Sequence, residues 1–341
     1  MKLSQLIGRR EKEAPRDAQL VSHKLLVRGG YVRQVGAGLF SLLPAGMRVI
    51  RKIEGIIREE MNAVDGQEVL MPVVLPRELW DESGRYESVG QELLRFKDRN
   101  DKDMLLGMTH EEAVVHLARG DATSYKQYPF ILYQIQTKYR DEARPRGGLI
   151  RVREFTMKDA YSWHTSKPCL EECYHRVFEA YERIFRRAGL RSCVSVESDA
   201  GMMGGGVSHE FMLLSDSGED TLVLCDRCSY SANREVARTV YPAVDESPQE
   251  LELVDTPDTT SIEAVAQLLK VGQESTCKAV FCVDAKGGLV LVILRGDLEV
   301  NEAKLKAAIG RPDLVMADEA LIKKSGMVPG YASPMGTDPK T

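Results

Sequence analysis

Residues 139–155 read YRDEARPRGGLIRVREF, and this stretch gives the clearest indication of the fold. Two segments of strand-like character flank a short loop with two arginines, a proline and two glycines, a pattern that predicts an antiparallel hairpin. Alternate residues of a strand share a face, so Arg140 and Glu142 are expected to point the same way from the first arm. On the second arm, the residues expected to share a face are Arg151, Arg153 and Phe155.

The surface that these side chains would form combines a guanidinium fork, a carboxylate acceptor and an aromatic ring. Such groups suit a phosphate, an exocyclic amine and a flat base, so the pattern favours a purine nucleotide as ligand. A solvated sheet edge with cross-strand ion pairs has the same composition, and the spacing alone does not separate the two interpretations.

The order Arg-x-Glu, loop, Arg-x-x-x-Phe resembles motif 2 of the class II aminoacyl-tRNA synthetases. With the sequence MKDAYSW at residues 157–163 included, the stretch is similar to the bacterial-type prolyl-tRNA synthetases in particular. The resemblance implies that Arg140 binds the α-phosphate of ATP as the catalytic residue, that Glu142 contacts the adenine amine, and that Phe155 stacks on adenine.

A long amphipathic helix is predicted from about Ala45 to Ala63, because apolar residues recur at helical spacing behind Pro44. A strand is predicted at residues 68–71, ended by Pro72. Taken alone, this pattern is typical of a plain surface helix that leads into a sheet. Beside motif 2 it resembles motif 1 of the class II synthetases, which implies a homodimer through this segment.

Thr109 and Glu111 belong to the sequence THEE, just after the apolar run at residues 104–106. In the family that the chain resembles, a Thr-x-Glu loop binds the amino acid, which implies that Glu111 faces the charged imino group of proline with the Thr109 hydroxyl beside it. A secondary ammonium in a partly dry pocket needs an anionic partner that accepts hydrogen bonds. As a bare tripeptide, the same residues equally predict a helix that begins at Glu111 with Thr109 as its N-cap.

A glycine-rich stretch, GGGVSHEFM at residues 204–212, has the composition of a segment whose backbone approaches a small ligand closely. It resembles the other side of the proline pocket of that family, which implies that Ser208 and His209 border the substrate. Trp163 is expected either to wall the pyrrolidine ring or to belong to the core, and the sequence leaves both open.

A length of 341 residues is sufficient for two domains. The resemblance identifies residues 1–223 as a class II synthetase catalytic domain with motifs 1 and 2. After Leu224 a polar, proline-containing segment leads into alternating helices and strands, so residues 224–341 are expected to form a truncated editing-type insertion domain. The expected fold class is α+β, an antiparallel sheet flanked by helices, with a smaller α/β module.

Composition narrows the class of protein further. Hydrophobic residues make up 43% and charged residues 28%, the net charge is −5, and no run of eighteen apolar residues occurs. These values and the N-terminal sequence predict a cytoplasmic protein without a membrane segment or a generally polycationic surface. Seven cysteines without a regular framework indicate reduced thiols.

Cys225 and Cys228 form a Cys-x-x-Cys pair, which is half of a zinc site. Buried free thiols are the favoured interpretation, a structural metal is the alternative, and no residue is assigned as a metal ligand.

Lys278 lies in a segment that resembles the editing insertion of bacterial prolyl synthetases, which implies that it helps to shape a pocket for misacylated alanyl-tRNA. Alanine is smaller than proline, so it can enter the proline pocket, and the methylene groups that it lacks reduce its binding by only roughly 1–3 kcal/mol. Hydrolysis of the misacylated tRNA would supply the remaining selectivity for proline. Without the resemblance, Lys278 is typical of a surface lysine at a strand edge.

The implied reaction has two steps. Proline attacks the α-phosphate of ATP to give prolyl-adenylate and pyrophosphate, and tRNA(Pro) then takes the prolyl group. Mg²⁺ is expected to bridge the phosphates, and Arg140 is expected to stabilise the developing charge. At the phosphate end, the assisting side chain is expected to be Arg151 or Arg153.

Motif 3, whose arginine sandwiches adenine against the motif 2 aromatic ring, does not occur in these residues, and neither does an anticodon-binding domain. The chain is therefore expected to be the front part of a longer protein and not to activate proline by itself. A non-catalytic synthetase-like binder and a free-standing editing hydrolase are the alternatives. The intact ATP-site pattern disfavours the first, and the presence of residues 1–223 disfavours the second.

Overall fold

A computed structural model describes the chain over residues 2–198, 208–240, 250, 252–311 and 313–332. The chain divides into two compact units, Met1–Cys193 and Val194–Thr341. The assignment of two functional domains with a boundary between residues 223 and 224 stays a prediction.

The first unit mixes helices with short and long strands. Its α-helices are α1 (Val21–Arg28), α2 (Pro44–Asn62), α3 (Arg77–Glu82), α4 (Arg85–Ser88), α5 (Glu111–Asp121) and α6 (Lys167–Arg187). Its strands are β1 (Val32–Gly36), β2 (Leu39–Leu42), β3 (Gly66–Glu68), β4 (Val74–Pro76), β5 (Arg95–Lys97), β6 (Asp103–Leu106), β7 (Phe130–Tyr139) and β8 (Glu154–Trp163).

The second unit has a similar mixture. Its strands are β9 (Cys193–Glu197), which begins at the unit boundary, β10 (His209–Leu213), β11 (Leu222–Leu224), β12 (Ser231–Asn233), β13 (Cys277–Val283), β14 (Leu289–Arg295) and β15 (Val315–Met316). Its α-helices are α7 (Ile262–Leu269), α8 (Glu302–Ile309) and α9 (Glu319–Lys324). Of these, the elements from α7 to α9 confirm the helices and strands that the sequence predicts after the polar segment.

The hairpin of β7 and β8 is the longest sheet element of the first unit. It has ten antiparallel register pairs, from Phe130 opposite Trp163 to Tyr139 opposite Glu154. Strand β3 extends the sheet by pairing in parallel with β7. The predicted antiparallel hairpin is therefore confirmed, although its strands stop short of the arginines that were expected on them.

The two faces of this hairpin carry different residues because side chains alternate along each strand. One face contributes Ile131 and Tyr133 to a core cluster with residues of α2 and α6. On the other face, Tyr161 and Trp163 pack against a second cluster around the buried Trp80. Each face of the hairpin is thus covered by its own apolar core, and the second face also carries the polar residues described below.

The helix predicted at residues 45–63 is confirmed as α2, which has Pro44 in its first turn. The strand predicted at residues 68–71 is wrong in position, because β3 ends at Glu68. The N–H of Met71 donates to the side-chain Oε1 of Gln134 at 3.1 Å, so the chain has left the backbone ladder by this residue.

Glu60 joins α2 to α6 through two arginines. Its carboxylate oxygens accept hydrogen bonds from Arg183 Nε at 2.6 Å and from Arg187 Nη1 at 2.7 Å, and the Glu60 side chain is only 10% exposed. The bond from Arg183, followed by that from Arg187, holds the pKa of Glu60 below its usual value. A carboxyl with a depressed pKa stabilises the fold above its unfolded pKa and loses that contribution as the pH falls through the native pKa.

We expect Glu60→Gln to lower the free energy of unfolding by about 1–2 kcal/mol at neutral pH, since two charge-assisted hydrogen bonds weaken. The difference from the parent protein should shrink as the pH is lowered from about 4.5 through the native pKa, because the glutamate then also becomes neutral. Urea unfolding at several pH values measures both effects. Glu179→Gln is the control, because Glu179 is exposed and lies 3.8 Å from the same Arg183; an equal loss in both variants would contradict the assignment.

Candidate active site

Arg140 lies directly after the last residue of β7 and continues the hairpin by one backbone contact. Its N–H donates to the carbonyl of Arg153 at 2.8 Å. Its guanidinium lies 5.3 Å from the centre of the Phe155 ring, within the range of a cation–π contact. Its Nε donates to the carbonyl of Met108 at 3.4 Å, which brings Arg140 beside the loop that carries Thr109. The structure therefore brings together Arg140, Phe155 and the Thr-x-Glu loop.

The placement of Glu142 on a strand with Arg140 is wrong. The chain turns at this point, because the N–H of Glu142 donates to the carbonyl of Arg140 at 2.7 Å and that of Asp141 donates to the carbonyl of Glu92 at 2.8 Å. Residues 140–153 thus form a loop between β7 and β8 instead of two strand ends. The expected shared strand face of Arg151, Arg153 and Phe155 is wrong for the same reason, since β8 begins only at Glu154.

Within this loop, Glu142 and Arg151 are brought together as an ion pair. Arg151 Nε donates to Glu142 Oε2 at 2.7 Å, and the backbone N–H of Arg144 donates to Oε1 at 3.0 Å. The Arg144 N–H and then Arg151 lower the pKa of the Glu142 carboxyl. Glu142 is therefore held as an anionic acceptor by the loop itself.

Glycines let the loop lie close to the elements beside it. Gly148 has a φ of 68°, and a Cβ at this position would lie 2.9 Å from Cγ of the buried His23 on α1. Gly38, in the turn between β1 and β2, has a φ of 72° and would place a Cβ 2.8 Å from Pro145. The carbonyl of Gly38 also accepts from the N–H of Arg153 at 2.9 Å. These contacts fix the loop against the N-terminal elements.

Thr109 precedes α5 and is nearly fully buried, and its hydroxyl oxygen has no hydrogen-bond partner among the described residues. The alternative that Thr109 caps the helix is wrong, because α5 begins at Glu111 with His110 as N-cap and no side-chain capping bond. Buried hydroxyl groups in folded proteins usually have a hydrogen-bond partner, so the Thr109 hydroxyl is a candidate contact for a bound ligand. Glu111 is 35% exposed at its side chain and pairs with Arg85 at 3.1 Å.

Beneath this loop lies a buried polar network that the sequence analysis did not find. Nζ of the fully buried Lys138 donates to Asp159 Oδ2 at 3.0 Å and lies in hydrogen-bond contact with Nδ1 of His110. The Tyr161 hydroxyl donates to the same Oδ2 at 2.7 Å and accepts from the His110 N–H at 3.2 Å. Gln134 Nε2 is a third donor to Oδ2 at 3.1 Å.

The ring of His110 has defined roles in this network. Its Nε2 lies 2.9 Å from the carbonyl of Pro72, which can only accept, so Nε2 carries the proton and Nδ1 accepts from Lys138. Burial lowers the pKa of His110, consistent with a neutral ring. Burial also lowers the pKa of Lys138, while Asp159 opposes this effect, and burial raises the pKa of Tyr161.

A signal for this network was present in the sequence. Lys138 lies two residues before Arg140, and Asp159 and Tyr161 follow Phe155 at even spacing, so strand alternation places them on the same face of the hairpin. The pairing of Lys138 with Asp159 across the strands could not be read without the register, which depends on the length of the loop between them.

Trp163 lies at the far end of β8 from Phe155. Its ring stacks on that of Phe130 with centroids 4.7 Å apart and an interplanar angle of 15°, and it packs against the core cluster around Trp80. The structure thus shows the core contacts of Trp163, and its contact with a pyrrolidine ring stays a prediction.

Ser208 and His209 belong to the second unit. The Ser208 hydroxyl accepts from Ser198 Oγ at 3.0 Å, and His209 begins β10. Gly204 to Gly206 lie outside the described residues. The role of Ser208 and His209 as borders of the proline pocket stays a prediction.

Lys278 lies on β13 of the second unit, where its Nζ is 2.7 Å from Glu299 Oε1 and its side chain is 18% exposed. The interpretation of Cys225 and Cys228 as buried thiols is wrong, since both are exposed in the turn between β11 and β12. Among the described residues, no group of three or more His, Cys, Asp or Glu side chains is arranged to hold a metal ion. Of the helices in these same ranges, none has the length and apolar character needed to cross a bilayer.

We expect Lys138→Met to lower the free energy of unfolding by about 3–5 kcal/mol, since the Asp159 carboxylate would remain buried without its cation. Adding Asp159→Asn should recover part of this loss, and urea unfolding of the two single variants and the double variant measures the coupling. Lys97→Met is the control, because Lys97 forms an exposed pair with Asp103 at 3.0 Å and is expected to cost below about 1 kcal/mol. Additive losses at positions 138 and 159 would contradict a buried ion pair.

Residues 94–283 match the family model described as tRNA synthetase class II core domain (G, H, P, S and T), and residues 256–341 match that of the aminoacyl-tRNA editing domain. The matched ranges account for the α+β fold with an antiparallel sheet, flanking helices and a smaller editing module.

Curated relatives with the name proline–tRNA ligase match nearly the whole chain. That of Geobacter metallireducens is 48% identical over 338 residues, which are 98% of this chain and 59% of the relative. That of Nitratidesulfovibrio vulgaris is 49% identical over 327 residues, which are 95% of this chain and 57% of the relative. The chain therefore spans less than two thirds of the length of these relatives.

Among solved structures, a prolyl-tRNA synthetase from Cryptosporidium parvum, in complex with halofuginone and AMPPNP, is similar with a TM-score of 0.50. The match covers 55% of this chain and 40% of that one at 17% sequence identity, so it concerns the fold alone.

Proposed function

This chain belongs to the class II tRNA synthetases, and on that premise we propose that it activates proline with ATP as part of a proline–tRNA ligase. The relatives named proline–tRNA ligase, at 48% and 49% identity, support the choice of amino acid. The observation that carries the proposal is the hydrogen bond from Arg140 to the carbonyl of Met108, because it connects the nucleotide half of the site to the amino-acid loop.

The activation of proline requires a positively charged side chain beside the proline carboxylate and the α-phosphate of ATP. When the proline carboxylate attacks the α-phosphate in line, negative charge concentrates on the phosphate oxygens, and a guanidinium fixed in place stabilises it without reorganisation. Arg140 is held by its backbone bond to Arg153 and its contact with Phe155, so it meets this requirement. Phe155 offers an aromatic face to adenine, and Glu142 is an anionic acceptor for its amine.

The amino-acid half uses the loop before α5. Glu111 supplies an anionic acceptor at the partly exposed start of the helix, and the Thr109 hydroxyl is a buried polar group that the described protein does not satisfy. Both suit the charged imino group of proline. Trp163, Ser208 and His209 remain proposed members of the proline site, on the resemblance alone.

The proposal includes Mg²⁺, which would bind together with the nucleotide. The described residues contain no cluster of three or more metal-ligating side chains, so this part of the chain does not form a magnesium site of its own. Mg²⁺ prefers a few carboxylates combined with substrate phosphates, and it would enter with ATP. Arg151 is expected at the phosphate end, where it would have to release Glu142 or contact phosphate with its remaining nitrogens.

Transfer to tRNA(Pro), editing, dimer formation and a cytoplasmic location complete the proposal. The editing-domain match at residues 256–341 supports hydrolysis of alanyl-tRNA(Pro), with Lys278 in its pocket. Helix α2 supports a homodimer through motif 1, because Val49 and Ile53 leave 46% and 39% of their surfaces exposed.

Proline-dependent exchange of pyrophosphate into ATP, measured on the full-length protein, tests the function. We expect Arg140→Ala to lower the exchange rate by about 10²–10³-fold, since a preorganised charge on the transferring group is lost. Arg144→Ala is the control, because the Arg144 side chain is exposed and only its backbone N–H binds Glu142. Absence of exchange in the parent protein would contradict the proposed function, and an unchanged rate in Arg140→Ala would remove Arg140 from the site.

A further inference from the structure

Arg85 connects two neighbouring carboxylates at the start of α5. Its Nη1 lies 3.1 Å from Glu111 Oε2 and 2.9 Å from Glu112 Oε1. The three side chains differ in exposure, since that of Glu112 is 4% exposed, that of Arg85 22% and that of Glu111 35%. A single nitrogen thus bridges a buried and a partly exposed carboxylate.

Arg85 is itself held in place by its surroundings. Its guanidinium lies 4.8 Å from the ring centre of Trp80, which is fully buried in the core. Gly84, with a φ of 71°, makes the turn between α3 and α4 from which Arg85 projects. Ser83 Oγ, in the same turn, donates to Glu112 Oε1 at 2.9 Å. The bridge therefore has a rigid base on the apolar core.

The contact with Arg85 occupies one oxygen of Glu111. No hydrogen bond from a described residue to Glu111 Oε1 is present, so that oxygen is available to a donor. Glu111 directly follows His110, whose ring and backbone N–H belong to the buried network under the loop. The bridge thus determines both the direction of Glu111 and which of its oxygens is available.

The charges of the cluster also balance. Two carboxylates and one guanidinium leave one net negative charge, and the Lys138–Asp159 pair beneath adds none. One net negative charge matches the single positive charge of a secondary ammonium. Without Arg85, the two adjacent carboxylates would repel each other, and Glu112 would be buried without a cation.

We propose that Arg85 is a positioning residue of the amino-acid site, which holds Glu111 by Oε2 and directs Oε1 to the substrate ammonium. This inference rests on the proposed activation of proline. It assigns to the first residue of α4 a role in amino-acid binding. The opposite role, a latch that keeps Glu111 from the substrate until the pair breaks, predicts an effect of the opposite sign on proline affinity.

Proline-dependent pyrophosphate exchange by the full-length protein separates these roles. In Arg85→Gln, the KM for proline should rise about tenfold or more, since one charge-assisted contact is misdirected, while the KM for ATP should stay within about twofold. Arg85→Lys should recover part of the proline affinity, because a single nitrogen of Arg85 contacts both Glu111 and Glu112. Arg119→Gln is the matched control, since Arg119 lies on α5 in an exposed pair with Glu82 at 3.1 Å.

A double variant, Arg85→Gln with Glu112→Gln, guards against a loss of folding, because it removes the buried carboxylate together with its cation. Its KM for proline should remain raised, since Glu111 is still not held. A restored KM, an unchanged KM in Arg85→Gln, or a lowered KM would each overturn the positioning role. A parent protein without exchange would instead contradict the proposed function, and thermal unfolding of each variant shows whether it is folded.

Discussion

The buried ion pair between Lys138 and Asp159 is the interaction on which the first unit depends most. A charge at this depth is tolerated only with its partner and with further hydrogen bonds, and Asp159 has both, since Tyr161 and Gln134 also donate to it. Lys138 and Asp159 lie on the same face of different strands of one hairpin, and a shift of the register by one residue would move one of them to the opposite face. The pair therefore links a local electrostatic requirement to the alignment of β7 and β8.

That alignment determines where the reactive groups lie. Arg140 follows Lys138 by two residues, and Phe155 is the direct register partner of Lys138, so the guanidinium and the ring meet at the end of the hairpin. Lys138 also contacts His110, the N-cap of α5, and thereby supports the loop between Thr109 and Glu111 from below. One buried network thus lies beneath both parts of the candidate site, and the Arg85 bridge is proposed to orient its amino-acid end.

The sequence predicted the hairpin, helix α2 and the start of α5 at Glu111, because strand alternation and helical periodicity are local properties. The sequence placed Glu142 on a strand, whereas the structure shows it in a loop. The β7–β8 ladder ends early because the N–H of Asp141 donates to the carbonyl of Glu92 and that of Glu142 donates to the carbonyl of Arg140. Arg85 and the Lys138–Asp159 pair were missed because their partners lie 26 and 21 residues away in the chain. Such contacts follow from tertiary register, which periodicity does not contain.

In the proposed site, one face of the β7–β8 hairpin holds the nucleotide and the amino acid side by side. Calorimetric titration of the full-length protein with a stable prolyl-adenylate analogue, compared with proline and with AMP, tests it most directly. We expect the analogue to bind at least about 10³-fold tighter than proline or AMP alone, because joining two adjacent ligands avoids a second loss of rotational and translational freedom. Binding of the analogue that is no tighter than that of AMP or proline alone would contradict a shared site.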